Sequence, residues 1–202
     1  MCLWLLAHRL MAFENSALAH ARWRAPYFAS LLQEGGVIAC PAEGVWGLSC
    51  DPYNGTAVSD LLAMKVRSAS KGLIVVADRS EVFADVLEGL PDDQRDVLEA
   101  SWPGPNTWLV PHRNVFPDWV TGDSDEVAIR VTSAPALAAV CRVFGGALVS
   151  TSANPAGLAA PRALWEVRRY FGPALPAMPG PIDPEGKPST IRRAADGMVI
   201  RV

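Results

Sequence analysis

Lysine is scarce in this chain: Lys65, Lys71 and Lys187 are the only three in 202 residues. Charged side chains of all kinds make up 19%, and 18 basic against 21 acidic residues leave a net charge of −3. That balance excludes a uniformly basic nucleic-acid binder, although it is compatible with a local basic patch. The four cysteines, Cys2, Cys40, Cys50 and Cys141, lie far apart and form neither a CxxC pair nor a Cys/His cluster. Zinc and a disulfide framework are thereby excluded, and buried, reduced thiols of a cytoplasmic protein are expected. No apolar run approaches the roughly 18 residues of a membrane span. The apolar opening Met1–Ala7 is short, with no preceding cationic stretch and no small-x-small cleavage site, so it does not read as a secretory signal. GxSxG, HExxH and a strand-borne GxGxxG are all absent. His8, His20 and His112 pair with no cysteine or carboxylate in the sequence pattern and receive no role.

Half the residues are apolar, enough for a real core in a chain whose length suits one domain. Short apolar runs alternate with helix-period segments. Strands are predicted at Val37–Cys40, Leu73–Ala77, Thr107–Pro111, Val127–Val131 and Ala147–Thr151, with two more around 189–193 and 198–202. Helices are predicted at Pro26–Gln33, at Ala57–Lys65 behind an Asn54-Gly55-Thr56 start, around 80–88 and 92–100, from a Ser133 cap to Phe144, and at Pro161–Phe171. This order predicts an α/β domain with a largely buried, partly parallel sheet. The Pro- and Gly-rich stretch from Pro173 to Lys187 reads as a long loop. Met11 offers an alternative start, so residues 1–10 are expected to be dispensable.

Three segments carry candidate chemistry. Lys65-Val-Arg67-Ser-Ala-Ser-Lys71 closes a helix just before a buried strand. Helix-dipole complementation accounts for Lys65 and Arg67; convergence on a polyphosphate accounts for all three, and spacing alone does not choose between them. Ser150-Thr-Ser152-Ala-Asn154 sits at a strand end, where open α/β sheets place ligands, although an ordinary polar turn has the same composition. Arg130 interrupts the apolar strand Val127–Val131, either as an outward edge residue or as a buried anion ligand. Gly180–Ser189 imitates a phosphate loop, but it is one residue too long and its prolines remove N–H donors. Trp102-Pro-Gly-Pro reads as a structural corner, and the acidic Asp123–Glu126 as solvated loop rather than a metal site.

Taken in order, Pro41-Ala-Glu-Gly-Val-Trp-Gly-Leu-Ser-Cys-Asp51-Pro, Lys65-x-Arg67 with Lys71-Gly, Ser101-Trp-Pro-Gly-Pro-x-Thr107, Val127-Ala-Ile-Arg130-Val-Thr, Ser150–Asn154 and Pro188-Ser189-Thr-Ile resemble the YrdC/TsaC family. The resemblance runs from about Val37 to the C-terminus. It implies a twisted, open mixed sheet with flanking helices around a concave, positively lined cavity. It makes residues 26–202 a single catalytic domain of the short family form and residues 1–25 an N-terminal extension. The implied reaction is threonylcarbamoyl-AMP synthesis from L-threonine, bicarbonate or CO₂, and ATP, releasing pyrophosphate. A separate threonylcarbamoyl transferase complex would then modify adenosine 37 of ANN-decoding tRNAs, and tRNA itself is a further implied partner. Lys65, Arg67 and Lys71 would be catalytic. Arg130, Ser150, Ser152, Asn154, Ser189 and Arg201 would bind ATP and threonine, with Mg²⁺ held through the ATP phosphates and no protein metal site. Ala42 stands where the family carries Thr, and Ser68 where it carries Pro.

Two rivals follow from the same residues. A non-enzymatic tRNA or double-stranded RNA module would put RNA phosphates in the cavity, against which the net charge counts. A carbamoyl-transfer activity resembling that of hydrogenase-maturation proteins would come with acylphosphatase and zinc-finger-like segments, which the sequence lacks.

Overall fold

Residues 22–201 are described by a computed structural model of the chain. They open on helix α1, which is already formed at residue 22 and runs through 33. Its buried stripe is Ala25, Phe28, Ala29 and Leu32, the three-and-four spacing of a helix with one apolar face. The helix thus begins ahead of the expected Pro26, because residues 22–25 continue its period. The remainder of the proposed extension, residues 1–21 with Cys2, His8, Met11 and His20, lies outside the described residues.

The chain continues through β1 (Ile38–Pro41), β2 (Trp46–Cys50), α2 (Gly55–Lys65), β3 (Ile74–Ala77), α3 (Ala84–Leu87), α4 (Asp92–Ala100) and β4 (Asn106–Pro111). Then follow α5 (Asp118–Thr121), β5 (Glu126–Val131), α6 (Pro135–Phe144), β6 (Leu148–Ser152), α7 (Leu164–Phe171), β7 (Thr190–Arg193) and β8 (Val199–Arg201). Asn54 caps α2 by accepting from the Ala57 N–H at 3.0 Å. Gly145, at φ +86°, closes α6 in the left-handed region that glycine enters without steric cost.

Two predicted boundaries move for specific reasons. Ser133 does not cap α6; Ala134 occupies that position, while the Ser133 N–H donates to Glu43 Oε1 at 3.2 Å. Helix α7 starts at Leu164 rather than Pro161 because the Glu166 carboxylate takes the N–H groups of Arg162 and Ala163, at 2.7 and 2.9 Å. Strand β2 and the single turn α5 have no counterpart in the sequence prediction.

The strands form one open eight-stranded sheet in the order β1-β2-β6-β3-β5-β4-β7-β8. It is mixed: β3–β5 and β4–β7 are parallel, and the other five ladders are antiparallel. Alternation along the strands assigns the faces. Val75, Val149, Ile129 and Trp108 belong to a large core shared with α2, α3 and α4 through residues such as Leu61, Leu87 and Leu98. Val76 and Leu148 point to the opposite face and meet α1 and α6 through Phe28, Leu32, Leu137 and Val140. Along that second face, Ser150 and Ser152 follow Leu148 at period two, and Arg130 lies opposite Val76. No residue of α1 or α6 covers these positions, and a cavity opens over them.

Candidate active site

The cavity has a volume of about 690 Å³, within the range of small-molecule sites. All nine residues singled out in the sequence border it: Lys65, Arg67, Lys71, Arg130, Ser150, Ser152, Asn154, Ser189 and Arg201. With Lys187 the wall carries six cations against two carboxylates, Glu43 and Glu126. Neither histidine nor cysteine borders it.

Helix α2 delivers the first cation. Lys65 is its last residue and is buried, and its Nζ donates to the backbone carbonyls of Ser152 and, at 2.8 Å, Asn154. Its own carbonyl accepts from the Ala156 N–H at 2.7 Å. Lys65 therefore ties the end of α2 to the end of β6 rather than pointing freely at solvent. Burial, reinforced by the Arg67 charge, pulls its pKa down to about 8.

Val66 then turns through the left-handed region at φ 51° and swings Arg67 back, so that Arg67 Nη2 donates to the Gly72 carbonyl at 2.9 Å. The Arg67 Nε is buried without a partner, and burial lowers this guanidinium's pKa. Lys71 ends the following 3₁₀ turn, is exposed and also borders the cavity.

Arg130 resolves the ambiguity left by its strand. It is neither at an edge nor outward: β5 lies between β3 and β4, and the side chain is buried. Its Nη1 sits 3.2 Å from Glu43 Oε2, an ion pair off the line of a good hydrogen bond, since that oxygen and Arg130 Nε both lack hydrogen-bond partners. The other carboxylate oxygen, Oε1, is fixed by Thr132 Oγ1 at 2.7 Å as well as by the Ser133 N–H. Arg201, opposite Ile191 in the sheet, donates to the Ser189 carbonyl at 3.2 Å. Burial, and after it the charges of Arg130 and Arg67, hold its pKa below the usual guanidinium value.

The polar run on β6 divides. Ser150 and Ser152 lie in the strand itself, before the turn, and face the cavity. Asn154 is in the turn: its Nδ2 donates to the carbonyls of Pro155 (3.2 Å) and Leu158 (2.7 Å), while its Oδ1 is buried and unpartnered. The Ser189 hydroxyl oxygen accepts from Thr107 Oγ1 at 2.8 Å, which ties it to the wall and leaves its own O–H as a donor.

Three charged cavity residues have no role in the sequence reading, namely Glu43, Lys187 and Glu126, the last expected in a solvated loop but opening β5 and paired with Arg193. Glu43 sits within the quoted Pro41–Asp51 segment, but nothing in its spacing reveals the pairing with Arg130 across 87 residues. Lys187 belongs to the Gly180–Ser189 segment, whose phosphate-loop pattern fails. The segment indeed runs into strand β7 without a helix, yet it still brings Lys187 to the cavity. The scarcity of lysine was the available signal, since all three lysines border this one space. Among the described residues no group of three or more His, Cys, Asp or Glu is placed to hold a metal.

The fold and site define an α/β protein with a concave cavity bordered by six cations and two carboxylates and, among the described residues, by no histidine or cysteine. Residues 30–202 match the Sua5–YciO–YrdC family model, described as "Telomere recombination", and the chain belongs to that family. It is 47% identical over 179 residues to the threonylcarbamoyl-AMP synthase of Cellvibrio japonicus, covering 88% of this chain and 95% of that one. It is 50% identical over 180 residues to the enzyme of that name from Pseudomonas aeruginosa, covering 89% and 97%. Among solved structures, P. abyssi Sua5 complexed with L-threonine superposes with a TM-score of 0.79 at 24% identity. It covers 88% of this chain and 53% of Sua5, so the chain spans about half of that protein.

Proposed function

We infer that the chain is a threonylcarbamoyl-AMP synthase, combining L-threonine, bicarbonate or CO₂, and ATP into threonylcarbamoyl-AMP and pyrophosphate. The identity of 46–50% to synthases of that name along nearly their whole length supports this activity. The observation that carries the site assignment is electrostatic. Lys65, Arg67 and Arg201 all have pKa values depressed by burial, two of them further by neighbouring cations. A cavity that concentrates uncompensated positive charge is stabilised by a polyanion, and ATP is the polyanion of this reaction.

The chemistry asks little else of the protein. The threonine amine takes up CO₂ as a carbamate, one carbamate oxygen attacks the α-phosphorus, and the bond to the β-phosphate bridging oxygen breaks. The nucleophile is already an anion, so no Ser–His or Cys–His pair is needed. The protein's work is to align the attack and spread the charge of the leaving pyrophosphate. Arg67, Lys71 and Arg130 are assigned to the phosphates, and Lys65 to the backbone of Ser152 and Asn154. Ser150, Ser152 and the free Asn154 Oδ1 are assigned to nucleotide and threonine, and Ser189 and Arg201 to the wall between them.

Both cavity carboxylates are committed to arginines, Glu43 to Arg130 and Glu126 to Arg193 at 3.4 Å. They do not offer a vacant metal site, and Mg²⁺ enters as MgATP, part of the substrate. Transfer of the product to adenosine 37 of tRNA by a separate transferase complex, in the cytoplasm, completes the reading. The free thiols of Cys40, Cys50 and Cys141 fit a reducing compartment.

Incubation with ATP, threonine and ¹³C-bicarbonate, followed by mass spectrometry, tests the activity. A threonylcarbamoyl-AMP peak carrying the label is expected. Its absence, together with salt-sensitive tRNA binding, would favour the RNA-module alternative.

A further inference from the structure

One segment stands apart from the sheet that builds the cavity: the loop from Gly180 to Pro188, between α7 and β7. Arg162 holds it. The Arg162 Nη1 donates to the Gly186 carbonyl at 2.8 Å, and its Nη2 to the carbonyls of Asp183, at 3.2 Å, and Pro184. One planar guanidinium thus gathers three backbone oxygens of a single turn. Arg162 is itself anchored, because its N–H is taken by Glu166 and the carbonyl of Pro161 accepts from the Trp46 N–H at 2.8 Å.

A second anchor lies on the other side of the turn. The Asp183 N–H donates to the Glu43 carbonyl at 2.9 Å. Gly44 approaches the turn so closely that a Cβ there would stand 2.5 Å from both Gly186 C and Lys187 O. Such an approach requires glycine at both 44 and 186, since a Cβ on Gly186 would likewise stand 2.8 Å from Gly44 Cα. Glu43, whose carboxylate orients Arg130, therefore also holds the loop through its backbone. The residue leaving this doubly anchored turn is Lys187, an exposed cavity cation with no ion-pair partner among the described residues.

We propose that Lys187 is a further polyphosphate-contacting residue of the synthase, and that Arg162 is its positioning residue, fixing the turn that carries the lysine to the cavity. A flexible lysine on a free loop would lose chain and rotamer entropy whenever it met a phosphate; anchoring its backbone beforehand removes most of that cost. The proposal rests on the reading that ATP occupies the cavity. It extends that reading to a loop whose phosphate-loop resemblance fails and to an arginine outside the cavity wall.

The test is direct binding of ATP and, separately, of threonine by calorimetry to the wild-type protein, K187A, R162Q, R162K and the R162Q/K187A pair. Melting temperatures are recorded alongside. K187A should weaken ATP about tenfold, the loss of one charged contact, and leave threonine affinity and melting temperature unchanged. R162Q should reproduce the ATP loss, R162K should recover part of it, and the double variant should bind no worse than K187A alone. An unchanged ATP affinity in K187A, or R162Q and K187A losses that multiply in the pair, would overturn the proposal. So would an equal fall in threonine binding, the mark of general damage. If R162Q does not fold, K187A and R162K decide: full ATP affinity in either refutes the corresponding half. A wild-type protein that binds no ATP would instead overturn the proposed function, a separate outcome.

Discussion

Replacing Glu43 by alanine leaves Arg130 charged, buried and without its counter-ion. The two side chains are 10% and 6% exposed and stand 3.2 Å apart. Removing one member of a buried pair costs about 3–5 kcal/mol, mainly because the other charge remains desolvated. Here the change also strands the Thr132 hydroxyl and the Ser133 N–H, both now satisfied by Oε1. Against this, Arg130 borders an open cavity, and water entering it returns part of the cost, so about 3 kcal/mol is the expected loss. In a domain of this size that lowers Tm by roughly 6–12 °C. Urea titration of wild type, E43A, R130M and the E43A/R130M pair, each with and without MgATP, is the informative assay. The double variant should recover stability relative to E43A, since the uncompensated charge is gone. Saturating ATP should narrow the gap between E43A and wild type, because a phosphate offers Arg130 another partner. A loss below about 1 kcal/mol, or a double variant less stable than E43A by the full R130M effect, would show that the pair is not energetically coupled.

Other outcomes follow from the same geometry. Arg67→Ala should weaken ATP binding by roughly 1.5–3 kcal/mol, measured by calorimetry; unchanged affinity would return the 65–71 cluster to a helix-end role. The pKa of Lys65, near 8 in the fold and 10.5 ordinarily, implies that the unfolded chain binds more protons between those values. Stability at this group therefore rises as pH goes from about 8 to 10.5, an increment that Lys65→Met should abolish in pH-dependent urea unfolding. A Ser150→Ala, Ser152→Ala double variant should lose roughly ten- to hundredfold in kcat/KM with little change in Tm. Neither hydroxyl makes a hydrogen bond within the described residues, and normal adenylate formation would remove them from the site. Deleting residues 1–10 should leave activity intact in the mass-spectrometric assay, and an insoluble product would place that segment in the core.

Much of the frame was readable from apolar runs. Leu73–Ala77, Thr107–Pro111, Val127–Val131 and Ala147–Thr151 each match a strand to within one residue, because each is a short, mostly apolar run that is largely buried. Strand β2 escaped because Trp46-Gly-Leu-Ser-Cys mixes weak strand formers into a short run. Gly47 borders the cavity, and a Cβ there would come within 3.2 Å of the Thr151 carbonyl of the neighbouring strand. The alternation of strands and helices showed that a helix intervenes, but not beside which strand the chain returns, so only two ladders prove parallel. Among the candidate residues, chemistry was legible and direction was not. Spacing left Lys65 open between a helix-end cation and a polyphosphate contact, and only the fold reveals two carbonyls of β6 and its turn receiving its ammonium. Glu43 and Arg130 meet through folding alone.

The cavity floor draws on strands from β2 to β8: Gly47, Ser150, Ile74, Ala128, Leu109, Ile191 and Arg201 each contribute. No contiguous third of the chain holds more than three of these seven positions. Occupancy and folding are therefore linked by mass action. A substrate at one hundred times its Kd adds about 2.7 kcal/mol to the stability of the whole sheet, and a defect anywhere along the seven strands weakens affinity through the population that remains folded. Non-local ladders such as β2–β6, which closes a loop of about 100 residues, and β4–β7, which closes one of about 80, also make slow assembly the natural expectation for this topology. During synthesis the binding surface is completed only when the final strand, the one carrying Arg201, has joined its neighbour.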